Sequence, residues 1–127
     1  MALKILTVYG KTLEDLQKLD LKEFAKLIPA RARRSLLRGQ HEQDKQLLEA
    51  IKSGDQNIRT HRRDMIIIPQ MVGALIKVYN GKEWLPIQIE LEMVGHYLGE
   101  FAQTRRRVAH SAPGIGATRS SAALSVR

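Results

Sequence analysis

Three side chains near the carboxyl end of the chain have a spacing that suits metal coordination. Glu92, His96 and Glu100 recur at intervals of four residues. On an unbroken helix this interval aligns side chains on one face, where a histidine and two carboxylates can hold a metal ion. Gly95 and Gly99 interrupt the stretch and weaken a helix. We therefore favour a surface pairing of His96 with a carboxylate, and keep a metal-dependent enzyme as the alternative.

Other candidate catalytic groups have weaker support. The segment "GIGATRSS" resembles a phosphate-binding loop only loosely, because it lacks the Gly-Lys-Ser/Thr ending and no helix signal follows it. The serines have no recognisable base and orienting acid, and His41, His61 and His110 each stand alone in sequence. The sequence therefore predicts no catalytic residue, no metal and no cofactor.

The distribution of arginine is more informative than any of these motifs. The formal net charge is +8, and all 12 arginines lie in residues 31–63 and 104–127, each with a net charge of +5. The intervening residues 64–103 have a net charge of −3. The planar fork of arginine suits bidentate contact with phosphate and stacks on bases. Because charge is clustered by sign, a nucleic-acid partner is favoured over a merely solvated surface.

Length and composition limit the class of protein. The chain has 127 residues, of which 43% are hydrophobic and 5% aromatic, as expected for one domain with extensions and an aliphatic core. It has no cysteine, which removes disulfides, cysteine–zinc sites and thiol nucleophiles. No apolar run approaches the roughly 18 residues of a membrane span, and the first residues form a poor signal peptide. These features indicate a cytoplasmic protein without a membrane partner.

Four short helices are predicted in the first 54 residues. Thr12 and Asp20 each precede an acid by three residues, which is a helix-start signature. The segments "ARARRSLLRGQ" and "HEQDKQLLEAIKSG" are predicted to end at Gly39 and Gly54. In the first of these two segments, three arginines share one helix face by the three-and-four rule.

The pattern then changes to β-structure. Met65–Ile68 is an unbroken apolar run, typical of a strand buried on both faces or of a segment that crosses the core. Asn80-Gly81 lies between two alternating stretches and predicts a two-residue type I′ hairpin turn. With this turn, Ile76 faces Leu85 across the strands.

The two faces of the predicted hairpin differ in chemistry. The core face contains Ala74, Ile76, Val78, Leu85 and Ile87. The outer face contains Lys77, Tyr79, Lys82 and Trp84, with Lys77 opposite Trp84. Such a basic and aromatic face can stack bases, or Lys77 can simply cover Trp84 at an ordinary surface. Residues 91–101 follow, and their glycines predict a short or broken turn packed on the sheet.

One long stretch resembles a known family. Residues 80–104, "NGKEWLPIQIELEMVGHYLGEFAQT", are similar to the signature region of the small-subunit ribosomal protein S-nineteen family. Upstream, "RRDMIIIPQMVGALIKVYNGK" resembles the middle segment of that family. The tail "HSAPGIGATRSS" resembles the extended end of the archaeal and eukaryotic members, whose eukaryotic name is S-fifteen, and "ARARRSLLRG" fits the same branch.

The resemblance implies both a fold and a function. The fold is α+β: a small three-stranded sheet with a hairpin packed on a helix, a helical N-terminal extension and an extended basic tail. The function is that of a structural constituent of the small ribosomal subunit head, bound to small-subunit ribosomal RNA. A neighbouring head protein of the S-thirteen family and decoding-region tRNA near the tail are also implied. An RNA-binding module working off the ribosome is an alternative.

We divide the chain into a helical extension (1–39), an α+β core domain (40–103) and a basic tail (104–127), and expect no homo-oligomer. The tail has too little apolar surface to fold alone, so it is predicted to be mobile until RNA orders it. Some arginines are expected to pair with Asp55 or Asp64 instead of RNA. The predicted RNA-binding residues are Arg31, Arg33, Arg34, Arg38, Arg59, His61, Arg62, Arg63, Lys77, Asn80, Gly81, Lys82, Arg105, Arg106, Arg107, His110 and Arg119.

Overall fold

The computed structural model describes residues 5–111 and Gly114, and this part of the chain has the predicted α+β class. No helix within it is long and apolar enough to span a membrane. Its α-helices are α1 (Leu13–Lys18), α2 (Leu21–Ala25), α3 (Ala30–Leu37) and α4 (Glu42–Lys52). Its strands are β1 (Ile58–Thr60), β2 (Leu75–Tyr79) and β3 (Trp84–Gln88). Short 3₁₀ helices lie at Pro69–Met71, Leu91–Met93 and Leu98–Phe101.

The helix boundaries follow the local sequence signals. The Thr12 hydroxyl accepts a hydrogen bond from the Asp15 N–H, and the Asp20 carboxylate accepts one from the Leu21 N–H at 2.8 Å. These are the side-chain caps that satisfy free amides at a helix start. α3 and α4 end just before Gly39 and Gly54, whose positive φ angles of +106° and +75° end a helix without strain. The predicted helices are confirmed.

The sheet has the strand order β1-β2-β3, with β1 parallel and β3 antiparallel to β2. A parallel pair needs a long crossover, and here the crossover contains the apolar run Met65–Ile68. Ile67 is fully buried; its N–H donates to the His96 carbonyl at 2.8 Å, and its own carbonyl accepts from the Gly95 N–H at 2.9 Å. The run is therefore a core-crossing segment and not a strand of the sheet.

The register of the hairpin differs from the prediction. β2 and β3 pair Tyr79 with Trp84 and Ile76 with Ile87, whereas the predicted turn placed Ile76 opposite Leu85. The register is displaced by two residues. Because side chains alternate with a period of two, this displacement leaves the core-facing side unchanged. Ile76 and Val78 are fully buried, and Ile87 is 6% exposed.

The Asn80 side chain accounts for the displaced register. Its carboxamide oxygen accepts from the N–H groups of Lys82 and Glu83, at 3.0 and 2.8 Å. The Asn80 N–H in turn donates to the Glu83 carbonyl at 3.1 Å. Asn80 thus forms the first corner of the turn, as asparagine does when its side chain mimics a backbone acceptor. The centre of the turn moves to Gly81 and Lys82, one residue later than predicted.

One aliphatic core joins the helices to the sheet. Leu16 of α1, Phe24 of α2 and Ala32 of α3 are buried in the same cluster as the sheet residues Ile76 and Val78. The first three helices therefore pack on the sheet-containing body. The division of the chain at residues 39 and 103 stays a prediction.

Residues 91–101 form two short 3₁₀ helices instead of one helix, as the glycines predicted. Gly95 lies between them with a φ angle of +88°. A Cβ there would meet the Tyr9 hydroxyl and the Ile28 side chain. Gly95 therefore allows both the bend and the close packing of the N-terminal turn that contains Tyr9.

Candidate nucleic-acid interface

Three arginines form one exposed face of α3 and its C-cap residue Arg38. Ala32 and Leu36 are buried against the core, so the opposite side of the helix points away from the body. Arg31, Arg34 and Arg38 lie on that exposed side. We call these three residues the α3 arginine face. It matches the arrangement predicted from their spacing.

Arg33 belongs to the same helix but has an internal role. Its Nε donates to the Ala25 carbonyl at 2.9 Å, and its Nη2 donates to the Lys26 and Ile28 carbonyls at 3.3 and 3.2 Å. These carbonyls lie at or just after the end of α2, where acceptors have no partner within the helix. Arg33 therefore links the end of α2 to α3.

Arg62 forms two ion pairs next to the α3 arginine face. Its Nε contacts an Asp44 carboxylate oxygen at 3.1 Å, and its Nη1 contacts Asp64 at 3.2 Å, so the predicted pairing of an arginine with Asp64 is confirmed. The hydrogen bond to Asp44 raises the pKa of Arg62 above its ordinary value, while partial burial opposes the shift. Arg31 and Arg62 line a common groove of about 310 Å³.

Arg63 has a partly buried network of carbonyl partners. Its Nη1 donates to the Tyr79 carbonyl at 3.0 Å, and its Nη2 donates to the Gly99 and Ala102 carbonyls at 2.8 and 2.6 Å. Gly99 lies against Arg63 so closely that an added Cβ would stand 3.0 Å from the Arg63 backbone oxygen. Arg63 thus joins the end of β2 to the last 3₁₀ helix.

An aromatic cluster occupies the outer face of the sheet. The ring centroids of His61 and Tyr79 are 4.8 Å apart, those of Tyr79 and Trp84 are 5.1 Å apart, and those of His61 and Trp84 are 4.7 Å apart. Arg59 lies over the Trp84 ring, 5.7 Å from its centroid. We call His61, Tyr79 and Trp84 the aromatic cluster.

Of the two alternatives for the outer face, the one in which Lys77 covers Trp84 is wrong. Lys77 pairs across the strands with Pro86, because the hairpin register is displaced by two residues. Its Nζ donates to the Asn57 carboxamide oxygen at 3.3 Å. The cation over Trp84 is instead Arg59, which comes from β1 and not from the hairpin.

The hairpin tip and the start of the tail lie together. Arg106 forms an ion pair with Glu83 at 2.5 Å between exposed side chains. Gly81 and Lys82 are exposed, as are Arg105, Arg107 and His110. From Thr104 to Ser111 the chain has neither helix nor strand. Arg119 and most of the segment predicted to be mobile lie outside the described residues.

The metal-site alternative has no support from the geometry. His96 Nδ1 lies 2.8 Å from a Glu100 carboxylate oxygen, so the predicted surface pairing of His96 with a carboxylate is confirmed. Glu92 belongs to the preceding 3₁₀ helix, and the bend at Gly95 separates it from the pair. Within residues 5–111 and Gly114, no three His, Asp or Glu side chains form a group that could hold a metal ion.

The internal roles of Arg33 and Arg63 were not predicted from the sequence, because the backbone carbonyls that accept their hydrogen bonds lie on other elements. It also left Tyr79 and Trp84 out of the predicted site, although both were placed on the basic outer face. The feature of the sequence that could have indicated Tyr79 and Trp84 was the arginine-rich segment beside that face.

The fold and the exposed cations define a small, basic α+β protein with surfaces suited to phosphate. The model of the family described as Ribosomal protein S19 matches residues 34–110. The small ribosomal subunit protein uS19 of Methanoculleus marisnigri is 56% identical over 115 residues, covering 91% of this chain and 84% of the relative. That of Thermoplasma acidophilum is 51% identical over 118 residues, covering 93% and 78%. The chain belongs to the ribosomal protein S19 family, which confirms the resemblance found in its sequence.

Proposed function

We propose that this chain is a structural, non-catalytic constituent of the small ribosomal subunit head that binds small-subunit ribosomal RNA. The observation that carries the proposal is the α3 arginine face, an exposed row of Arg31, Arg34 and Arg38 on a helix whose other side is buried. The relatives are named as small ribosomal subunit proteins, which supports the same assignment.

The physical basis of this binding is contact with phosphate. Each arginine that neutralises a phosphate releases condensed counterions, so binding is strong at low salt and weakens as salt rises. Side chains cannot read the deep, narrow major groove of A-form RNA. The rigid position of the α3 arginine face on a packed helix therefore suits recognition of RNA shape.

The tail and the hairpin tip extend this proposal to further partners. The exposed start of the tail has neither helix nor strand, so it can follow an irregular RNA surface. We propose that the far end of the tail lies near decoding-region tRNA. We also propose that a head protein of the S-thirteen family lies beside this chain, and that the protein works in the cytoplasm. These assignments rest on family membership and on the basic charge of the tail.

Sedimentation tests the proposal directly. The full chain, epitope-tagged in its host, is expected to sediment with small subunits through a gradient at high salt. An RNA-binding module that works off the ribosome would remain at the top of the gradient, and that result would overturn the proposal. The variant Arg34→Ala/Arg38→Ala is expected to leave the subunit at lower salt than the original chain. Lys22→Ala/Lys26→Ala removes the same charge from α2 and its C-cap and is the matched control, with retention unchanged.

A further inference from the structure

A groove between α4 and β1 has two chemically different walls. Its volume is about 460 Å³, within the roughly 300–1,000 Å³ typical of small-molecule sites. Gln43 and Gln46 of α4 line one side, and Arg59, His61 and Trp84 line the other. The groove is thus bounded by carboxamides on one side and by planar side chains on the other.

The planar wall suits stacking. The exposed His61 ring meets Trp84 edge-to-face at 85°, and the exposed Arg59 guanidinium lies over the Trp84 ring. Aromatic rings stack on any nucleobase, and arginine adds a cation–π contribution. This wall therefore presents groups that hold a flat, neutral ring next to a negatively charged backbone.

The opposite wall suits the edge of such a ring. Each glutamine carboxamide offers both a donor and an acceptor, the combination that pairs with adenine through two hydrogen bonds. Asp55 also lines the groove and repels phosphate. Arg59 in the planar wall and Lys77, which donates to the lining residue Asn57, supply positive charge beside it. A neutral base is therefore favoured next to Asp55, with the phosphates of its backbone near Arg59 and Lys77.

We propose that this groove holds one unpaired nucleobase of the bound RNA, stacked on the exposed His61 ring, in edge-to-face contact with Trp84 and held at its edge by Gln43 and Gln46. The inference rests on the proposed RNA-binding function and identifies a base site within it. The site is separate from the α3 arginine face, which we propose to contact phosphate.

Trp84 is the chain's single tryptophan, so its fluorescence reports on the groove. The full chain is titrated with hexa-adenylate and with an abasic hexamer of the same backbone. Hexa-adenylate is expected to quench the fluorescence, and the abasic hexamer is not. His61→Ala removes a ring on which the base stacks. Because base stacking contributes to the affinity, the substitution should weaken hexa-adenylate binding about tenfold. Gln46→Ala, on the opposite wall, should also weaken it.

His96→Ala is the matched control. His96 is an exposed histidine beside an aromatic ring, with its centroid 6.0 Å from that of Phe101, but it lies outside the groove. Its replacement should leave the affinity for hexa-adenylate unchanged. Equal quenching by the abasic hexamer, or unchanged affinity in both His61→Ala and Gln46→Ala, would overturn the base site. Binding of hexa-adenylate without any fluorescence change would also overturn it, while leaving the subunit assignment to the sedimentation test.

Discussion

The α3 arginine face and the pair Arg62–Arg63 are both arginine clusters in the sequence, yet their surroundings differ. The arginines of the face are exposed on the outer side of a helix. Arg62 contacts Asp44 and Asp64, and Arg63 donates to three backbone carbonyls. The difference teaches that the role of an arginine depends on the acceptors that the fold brings within its reach.

The cause lies in the path of the chain. α3 packs one side on the core, so arginines on its other side project outward. After β1 the chain turns into the core at Met65–Ile68. Of the two preceding arginines, Arg62 contacts α4 through Asp44 and Arg63 contacts the last 3₁₀ helix through the Gly99 carbonyl. The α3 arginine face should therefore control the salt dependence of RNA binding, and the pair Arg62–Arg63 should control the stability of the fold.

The largest loss of stability is expected for Arg63→Ala. The substitution leaves three carbonyls without their charged donor, so the free energy of unfolding should fall by about 3 kcal/mol. Urea denaturation measures the change. Arg105→Ala, at an exposed position, is the control and should stay within about 0.5 kcal/mol of the original chain. If Arg63→Ala lowered the free energy of unfolding by less than about 1 kcal/mol, water would be replacing the guanidinium. Arg63 would then lack the structural role that distinguishes it from the α3 arginine face.

A smaller loss, about 1–2 kcal/mol, is expected for Arg62→Ala, because the buried Asp44 carboxylate loses its partner. A double-mutant cycle with Asp44→Ala should show a coupling energy of about 1 kcal/mol. Since folding raises the pKa of Arg62, its stabilisation is complete below the ordinary arginine pKa and is lost only as pH rises through the raised value. Titration of Arg62 should therefore leave stability unchanged across the neutral range. Zero coupling in the cycle would argue against a structural role for this pair.

Arg33→Ala and Arg31→Ala test an internally bonded arginine against an exposed one in the same helix. In Arg33→Ala, three carbonyls at or just after the end of α2 lose a donor, and only the bond to the Lys26 carbonyl is exposed enough for water to replace it. We therefore expect a loss of about 1 kcal/mol by thermal denaturation. Arg31→Ala, two residues away on the α3 arginine face, should change stability by less than about 0.5 kcal/mol. Equal losses from the two substitutions would show that the face also has a structural role.

The smallest change in stability is expected for Arg34→Ala/Arg38→Ala, which should stay within about 0.5 kcal/mol of the original chain. The effect should appear instead in RNA binding. The slope of log affinity against log salt should fall by about two, one for each lost phosphate contact. Filter binding to a ribosomal RNA fragment across a salt series measures this slope. An unchanged slope would show that Arg34 and Arg38 of the α3 arginine face do not contact RNA phosphates.

Local signals in the sequence accounted for much of the fold. The caps Thr12 and Asp20 and the terminating Gly39 and Gly54 were identified correctly because each acts on neighbouring amides or on its own backbone angles. The core face of the hairpin was also correct, since alternation defines a face independently of register. The family signature was recognised because its residues are contiguous in the chain.

Four features could therefore be predicted from the sequence: the helix boundaries, the buried face of the hairpin, the α+β class and the basic character of the surface. The tertiary structure was needed for the internal partners of Arg33 and Arg63 and for the approach of His61 and Arg59 to Trp84. The physical reason is the range of the interactions. Caps and alternation act within a few residues, whereas Arg63 bonds to a carbonyl 39 residues away, a contact that no local pattern encodes.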